Sequence, residues 1–236
     1  MTTTHLTLSD TAVDAQSVRG PLLLGSSLRA AVLVMLVGGI AYPLLVTGIA
    51  QTVLPHAANG SLVERNGQVI GSALIGQFFA GAGYFHSRPS ATTVPDPDKE
   101  NGSIAAPYNA GLSAASNQGA THQGLMDSVS ERVAQYRIDN RLAASALVPV
   151  DAVTASASGL DPHISLANAQ LQLQRVAQTR GLPPEQVQAL LQQATQRRTL
   201  GVLGEARVNV LQLNLALDAL QPAAKAKAKA KAKAKE

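Results

Sequence analysis

The sequence predicts an α+β fold in which a single N-terminal transmembrane helix is followed by one mixed domain, helix-rich in its C-terminal half. Three patterns predict it: an uncharged apolar run, a hairpin signal soon after that run, and helical spacing of apolar residues in the last third. The predicted divisions are a polar leader at 1–27, the transmembrane helix at 28–54, an α+β domain at 55–221 and an Ala-Lys tail at 222–236.

The apolar run at residues 30–50 contains no charged side chain. About twenty apolar residues, each rising about 1.5 Å, cross the roughly 30 Å hydrocarbon core of a bilayer. A cleaved signal peptide is the alternative, but its apolar core is about 7–15 residues long and follows a short basic leader. The run is longer here and follows a long polar leader, so a retained anchor is predicted.

Positive charges flank the run on one side. Arg19 and Arg29 precede it, and no Lys or Arg follows until Arg65. Because positive residues stay cytoplasmic, the N-terminus is predicted inside the cell and the large domain outside. Gly38, Gly39 and Pro43 lie within the run. They are either ordinary membrane-helix composition or a face where a second helix approaches closely.

The composition limits the possible partners. There is no cysteine, so the domain has no disulfides and depends on its core. The net charge of +4 belongs to the tail, whose Lys-Ala alternation is either bound to anionic lipid or a partner, or simply solvated. Residues 51–221 hold eleven Lys or Arg against twelve Asp or Glu. Without a basic, aromatic-bearing face, nucleic-acid binding is not predicted.

The elements of the domain follow from local signals. Asn66-Gly67 between two apolar runs predicts a β-hairpin with a type I′ turn. Ser165 and Gly181 predict the start and the end of a helix. The first half of the domain is predicted to contain a hairpin at 61–71, a short strand and packed loop at 71–92, and a loop at 92–124. The second half is predicted to contain a helix at 125–138, a strand at 148–155, and helices at 165–180, from 183 onward and at 207–220. The first half of the last helix alternates like a strand.

Catalytic motifs are missing from the sequence. It has no G-x-x-x-x-G-K-[ST] loop for phosphate, no H-E-x-x-H, no G-x-S-x-G and no S-x-x-K. The five histidines are scattered singly, so neither a catalytic site nor a metal site is predicted. Asp161 and His163 suggest acid–base chemistry, but Asp161-Pro162 is more simply a turn.

The segment at residues 84–90, YFHSRPS, carries Tyr84, Phe85 and Arg88. Tyrosine and arginine anchor protein interfaces, so one interpretation is a partner contact. The other is a core loop whose arginine extends to the surface.

Seven ordered blocks carry a resemblance: YPLL at 42–45, NGSL at 59–62, GSALIGQ at 71–77, YFHSRPSA at 84–91, TASASGLDPHIS at 154–165, RVAQTRGL at 175–182 and RVNVLQLNLALD at 207–218. In this order the chain closely resembles the C subunit of the Kdp high-affinity potassium-transporting ATPase, over about residues 28–221.

The resemblance implies a non-catalytic accessory subunit of a potassium pump in the bacterial inner membrane, with its domain in the periplasm. Its partners would be a potassium-binding channel-like subunit, a P-type ATPase subunit, a small single-helix subunit and membrane lipid. Its role would be assembly and a higher ATP affinity of the catalytic subunit. It would hold no cofactor of its own, because the complex handles ATP and potassium. A membrane-tethered periplasmic enzyme and a stand-alone binding module are the alternatives.

The resemblance also implies site residues. Gln172, three before Arg175, matches a glutamine tied to nucleotide in the family, and the resemblance implies a nucleotide-related role for both Gln172 and Arg175. The predicted orientation places Gln172 outside the cell, so an indirect effect on ATP affinity is preferred. From the residues alone, Gln172 is a solvated side chain on an amphipathic helix. The partner interface is predicted at Gly38, Gly39, Tyr42, Pro43, Tyr84, Phe85 and Arg88.

Overall fold

The structure is a computed structural model that describes residues 20–220, with side chains from residue 23 onward. The chain divides after Asn59 into two compact units. The predicted Ala-Lys tail and residues 1–19 of the predicted leader lie outside the described residues.

The first unit is a long apolar helix with one irregular turn. Its parts are α1 (Gly20–Leu36), a π-helical turn (Val37–Ala41), α2 (Tyr42–Val53) and the single-turn helix α3 (Pro55–Ala58). In the π turn the Tyr42 N–H donates to the carbonyl of Val37. Pro43 follows this turn and has no N–H to donate, so the irregularity lies where the sequence weakens the regular ladder.

Leu23–Val53 is the one helix among residues 20–220 that is long and apolar enough to cross a bilayer. Its side chains are exposed almost throughout. This confirms the predicted N-terminal apolar helix and matches a single-pass membrane protein. An apolar helix of this length is long enough to span the thickness of the hydrocarbon core of a bilayer.

The second unit begins with the predicted hairpin. β1 (Leu62–Arg65) pairs antiparallel with β2 (Gln68–Ser72), and the turn residues Asn66 and Gly67 have φ of 54° and 76°. Positive φ at both positions is what a type I′ turn requires, so the hairpin prediction is confirmed. The loop prediction for 92–124 is partly wrong, because β3 (Thr93–Pro95) pairs with β4 (Ser103–Ala105). Three-residue strands are too short to show an alternating pattern.

The middle of the domain is helical. α4 (Gln123–Asp139) confirms the predicted helix and extends it by one or two residues at each end. The predicted strand at 148–155 is wrong: Pro149 occupies the N-cap position of the one-turn helix α5 (Val150–Val153), and the Thr154 hydroxyl donates to the Val150 carbonyl. A short apolar run does not distinguish strand from helix, and a proline at its start favours a helix.

The C-terminal part contains β5 (His163–Ser165), α6 (Leu166–Arg180), α7 (Pro184–Ala194), β6 (Thr195–Gln196), β7 (Arg207–Asn209) and α8 (Val210–Leu220). The Ser165 hydroxyl accepts from the Asn168 N–H at 3.1 Å, and Gly181 ends α6 with φ of 64°, so both predicted caps are confirmed. The single helix predicted at 207–220 is wrong in its first three residues, whose alternation marks a real strand.

β7 joins β5 and β6 in an antiparallel sheet of order β5-β7-β6. Helices α6, α7 and α8 supply most of the core that packs with this sheet. The buried apolar residues are Phe85, Ile164, Ala169, Leu173, Val176, Ala177, Val187, Leu191, Val208, Val210, Leu213 and Leu217.

Candidate functional site

The segment at residues 84–86 passes through the core and contacts both α6 and α8. Phe85 is 0% exposed. Its N–H donates to Asn214 Oδ1 at 2.9 Å, and Asn214 Nδ2 donates back to its carbonyl at 2.9 Å. The next residue, His86, is bonded in the same way by Gln172, through an N–H donated at 2.7 Å and a carbonyl that accepts at 3.1 Å. The buried side-chain amides of Asn214 and Gln172 thus make the backbone hydrogen bonds that a neighbouring strand would make in a sheet.

Gln172 is the centre of this network. It is 1% exposed, and its Oε1 also accepts from Arg175 Nη2 at 2.8 Å. Its Nε2 also donates to Asn168 Oδ1 at 2.8 Å. Each polar atom of the amide therefore has two partners inside the domain. The interpretation of Gln172 as a solvated side chain is wrong, because the segment at 84–86 covers the face of α6 on which it lies.

Arg175 extends the network to α4. Its Nε donates to Asn140 Oδ1 at 3.0 Å, and its Nη1 donates to the carbonyls of Ala82 and Tyr84. Burial lowers the pKa of the Arg175 guanidinium, while the negative charge of Asp139 opposes that shift. An arginine 6% exposed and bonded mainly to neutral oxygens fixes the positions of the chain segments that surround it.

Tyr84 and Arg88, both predicted at a partner interface, contact other residues of the domain. The Arg180 guanidinium stacks 4.5 Å from the Tyr84 ring centre and binds Asp218 at 3.0 Å. Arg88 binds Asp161 at 3.0 Å and keeps 24% of its side chain exposed. Phe85 is fully buried, so its side chain forms core rather than surface. An interface at Tyr84 and Arg88 stays a prediction.

Asp161 closes the predicted turn. Its Oδ1 accepts from the His163 N–H at 3.0 Å, two residues on. Burial raises the pKa of the Asp161 carboxyl, but hydrogen bonds from His163 and Arg88 outweigh burial and hold it below the ordinary value. The carboxylate is thus ionised and engaged with the domain. No group of three His, Asp or Glu side chains within residues 20–220 is arranged to hold a metal ion.

A cavity of about 460 Å³ opens beside Gln172, between the segment at 78–90 and α4. Its walls include Phe79, Arg132 and Tyr136. The Tyr136 hydroxyl donates to Asn168 Oδ1 at 2.8 Å, and burial raises the pKa of that hydroxyl. Sequence reasoning missed Tyr136, Asn168 and Asn214. Asn214 could have been found, because it interrupts the apolar face that α8 buries.

The family of this chain follows from comparison with known proteins. The model of the family described as "KdpC: K+-transporting ATPase, c chain" matches residues 24–219, which include both the apolar helix and the domain. The chain belongs to the KdpC family. The resemblance seen in the seven sequence blocks is thereby confirmed.

Curated relatives of this KdpC-family chain agree over most of its length. A protein of Rhodopseudomonas palustris named "Potassium-transporting ATPase KdpC subunit" is 54% identical over 187 residues, which are 79% of this chain and 92% of the relative. Proteins of the same name from Bradyrhizobium diazoefficiens and Mycobacterium bovis are 52% and 53% identical, over 81% and 77% of this chain and 96% and 90% of their own lengths. The Gln172 network lies within the residues that the family model matches.

Proposed function

We propose that this chain is a non-catalytic accessory subunit of an ATP-driven, high-affinity potassium uptake complex. Its partners are a channel-like potassium-binding subunit, a P-type ATPase subunit and a small single-helix subunit. The observation that carries the proposal is the family match over residues 24–219, supported by relatives that are named as a subunit of a potassium-transporting ATPase. ATP and potassium are handled by those partners, and this chain needs no cofactor.

The anchor and its flanking charges support a placement for this subunit. Arg29 precedes the long apolar helix, and no positive residue follows until Arg65. This bias favours a cytoplasmic N-terminus and a periplasmic domain at the bacterial inner membrane. A C-terminal fusion to alkaline phosphatase should be active in cells, while the same fusion to green fluorescent protein should be dark. The opposite pair of results would place the domain inside the cell.

The helix offers a surface for a partner helix. Among the described residues, no atom outside the helix's own backbone lies within 4 Å of a Cβ built at Gly38, and only the Met35 side chain, at 4.0 Å, approaches Gly39. Small residues on an open helix face let another helix approach closely in lipid. Pro43 and Tyr42 follow on the next turn. We propose that this face binds the channel-like subunit.

The effect on ATP affinity is proposed to be indirect. The polar atoms of Gln172 are already used by His86, Asn168 and Arg175, so a nucleotide would have to replace buried hydrogen bonds to reach it. A periplasmic domain also has no access to ATP. The subunit instead favours the conformation of the complex that binds ATP more tightly, which is a coupling between two binding events.

Purification of the complex from membranes tests the proposal. A complex lacking this chain should assemble poorly and should show a raised KM for ATP in potassium-stimulated hydrolysis. Gly39→Leu should reduce the amount of partner that co-purifies several-fold. Gly48→Leu is the matched control: Gly48 lies in the regular helix α2, beyond the π turn that contains Gly39, and also has nothing within 4 Å of its Cβ position among the described residues.

Two results would contradict the proposal. One is full assembly and an unchanged KM for ATP in the absence of this chain. The other is substrate turnover by the purified chain alone, which would favour a membrane-tethered enzyme.

A further inference from the structure

The connection between β6 and β7 ends in a tight turn with an apolar tip. Leu200, Val202 and Leu203 are 87%, 73% and 60% exposed. The turn is closed by two backbone hydrogen bonds of 2.9 Å between Thr199 and Leu203. The tip is thus a defined structure, and its apolar side chains contribute little to the core of the domain.

Leu200 has an unfavourable backbone conformation as well as an exposed side chain. Its φ is 54°, in the left-handed region, followed by Gly201 at 76°. Asn, Asp or Gly is the usual residue there, because a bulky side chain clashes with its own backbone. The leucine therefore improves neither the turn nor the core.

Arginines lie on both sides of the tip in the sequence. Arg197, Arg198 and Arg207 flank it, and Glu205 is the one acidic residue between positions 197 and 207. Glu205 binds Arg198, whereas Arg207 is bonded to the neutral side chain of Gln196 at 3.1 Å. An exposed apolar tip that arginines flank in the sequence has the chemistry of a segment that enters the interface of an anionic bilayer.

The chain itself keeps this domain near a membrane. The second unit begins at Gly60, seven residues after Val53, the last residue of the apolar helix. A tether this short gives the domain a high effective concentration at the bilayer surface, so a weak contact is sufficient. Three side chains on one turn are also few for a stable protein interface, which buries about 1,200–2,000 Å².

We propose that the turn at Thr199–Leu203 inserts its apolar tip into the headgroup region of an anionic bilayer. Leu200, Val202 and Leu203 enter the boundary between headgroups and acyl chains, and Arg197 and Arg207 lie against lipid phosphates. The proposal depends on the membrane anchor and is independent of the proposed role in a potassium pump.

A fluorescent probe on the full-length chain tests this contact. The chain contains no cysteine, so Leu200→Cys carries a single environment-sensitive dye. The labelled chain is placed in vesicles of phosphatidylglycerol and phosphatidylcholine, and in vesicles of phosphatidylcholine alone. Both kinds contain a trace of lipid that bears a quencher just below the headgroup. Ser130→Cys, an exposed site on α4, carries the same dye as the control.

The expected result is blue-shifted emission and at least two-fold stronger quenching at position 200 than at position 130, reduced when phosphatidylglycerol is omitted. Arg197→Gln combined with Arg207→Gln should reduce the quenching at position 200 in the same way. Equal quenching at positions 200 and 130 would overturn the proposal. So would protection of position 200 that requires the other subunits of the complex, which would identify a protein surface as its partner.

Discussion

Asn214 exchanges two 2.9 Å hydrogen bonds with the backbone of Phe85, so that one side-chain amide satisfies both the N–H and the carbonyl of a fully buried residue. Gln172 does the same for His86. The two amides belong to α8 and α6 and bind successive residues of a segment that has no regular secondary structure. The buried loop is stable because its backbone polar groups are satisfied, as burial requires.

Asn214→Leu tests the value of this pairing. The substitution preserves an apolar helix face but leaves the N–H and the carbonyl of Phe85 buried without partners, which costs about 2–4 kcal/mol. The free energy of unfolding, followed by circular dichroism in detergent, should fall by that amount. Gln212→Leu is the control, because Gln212 lies exposed on the same helix. Equal stability of the two variants would show that the amide pairing contributes little.

Gln172→Leu separates a structural role from contact with nucleotide. The variant removes partners from His86, Asn168 and Arg175, so we expect the domain to lose about 3 kcal/mol or more of stability. In the assembled complex the KM for ATP should then rise in step with the loss of folded domain. Gln174→Leu, at an exposed position on α6, should change neither quantity.

One result would contradict an indirect effect of Gln172 on ATP affinity. If Gln172→Leu left the unfolding transition unchanged and still raised the KM for ATP, Gln172 would act on nucleotide directly. Gln172→Glu is a second test. The glutamate still accepts a hydrogen bond from the His86 N–H, but it no longer donates one to the His86 carbonyl. Its stability should lie between that of the wild-type chain and that of Gln172→Leu.

The sequence predicts those parts of this fold that local chemistry determines. Ser165 and Gly181 determine the ends of α6, and Asn66-Gly67 determines the hairpin turn, because each acts within a few residues. β5 was missed because a three-residue strand exists only through its pairing with β7, more than forty residues away. The roles of Gln172 and Asn214 depend on contacts across 86 and 129 positions, which no local pattern reveals.

His86 makes the stability of the domain depend on pH. Burial lowers the pKa of its imidazole, and the positive charge of Arg175 lowers it further, against a smaller effect of the hydrogen bond to Gly81. Below the ordinary value of 6.5 the unfolded chain binds a proton that the folded domain does not. Stability is therefore complete above about pH 6.5 and falls as the pH drops towards the folded pKa.

Unfolding measured between about pH 7.5 and pH 5 checks this dependence. His86→Gln should flatten the fall, since glutamine does not titrate. The low pKa of Asp161 acts in a separate and more acidic window, around and below the ordinary carboxylate value. A fall of the same size in His86→Gln would assign the effect to another group.

Gly159→Ala should be among the most damaging small substitutions in the domain. Gly159 has φ of 68°, and a Cβ there would lie 2.6 Å from Thr92 Cγ2 and 2.8 Å from the Ala114 carbonyl. Gly181 has φ of 64° with nothing within 4 Å of its Cβ position, so Gly181→Ala measures backbone strain alone. We expect losses of about 1 kcal/mol for Gly181→Ala and about 3 kcal/mol for Gly159→Ala in chemical unfolding. Similar losses would mean that Thr92 and Ala114 move aside easily.

Leu200→Asn should stabilise the folded domain and weaken its contact with lipid. Asparagine tolerates the left-handed conformation at position 200, where φ is 54°. The loss of backbone strain should raise the free energy of unfolding by about 1 kcal/mol in detergent. Val202→Asn removes a neighbouring apolar side chain at a residue without positive φ, so it should bring no such gain.

In vesicles, a dye at position 203 should be quenched less by lipid in both variants. The backbone conformation at position 200 favours asparagine over leucine, so we attribute the leucine to the proposed contact with lipid. Retained quenching in Leu200→Asn would therefore contradict the bilayer contact, whatever the variant does to stability.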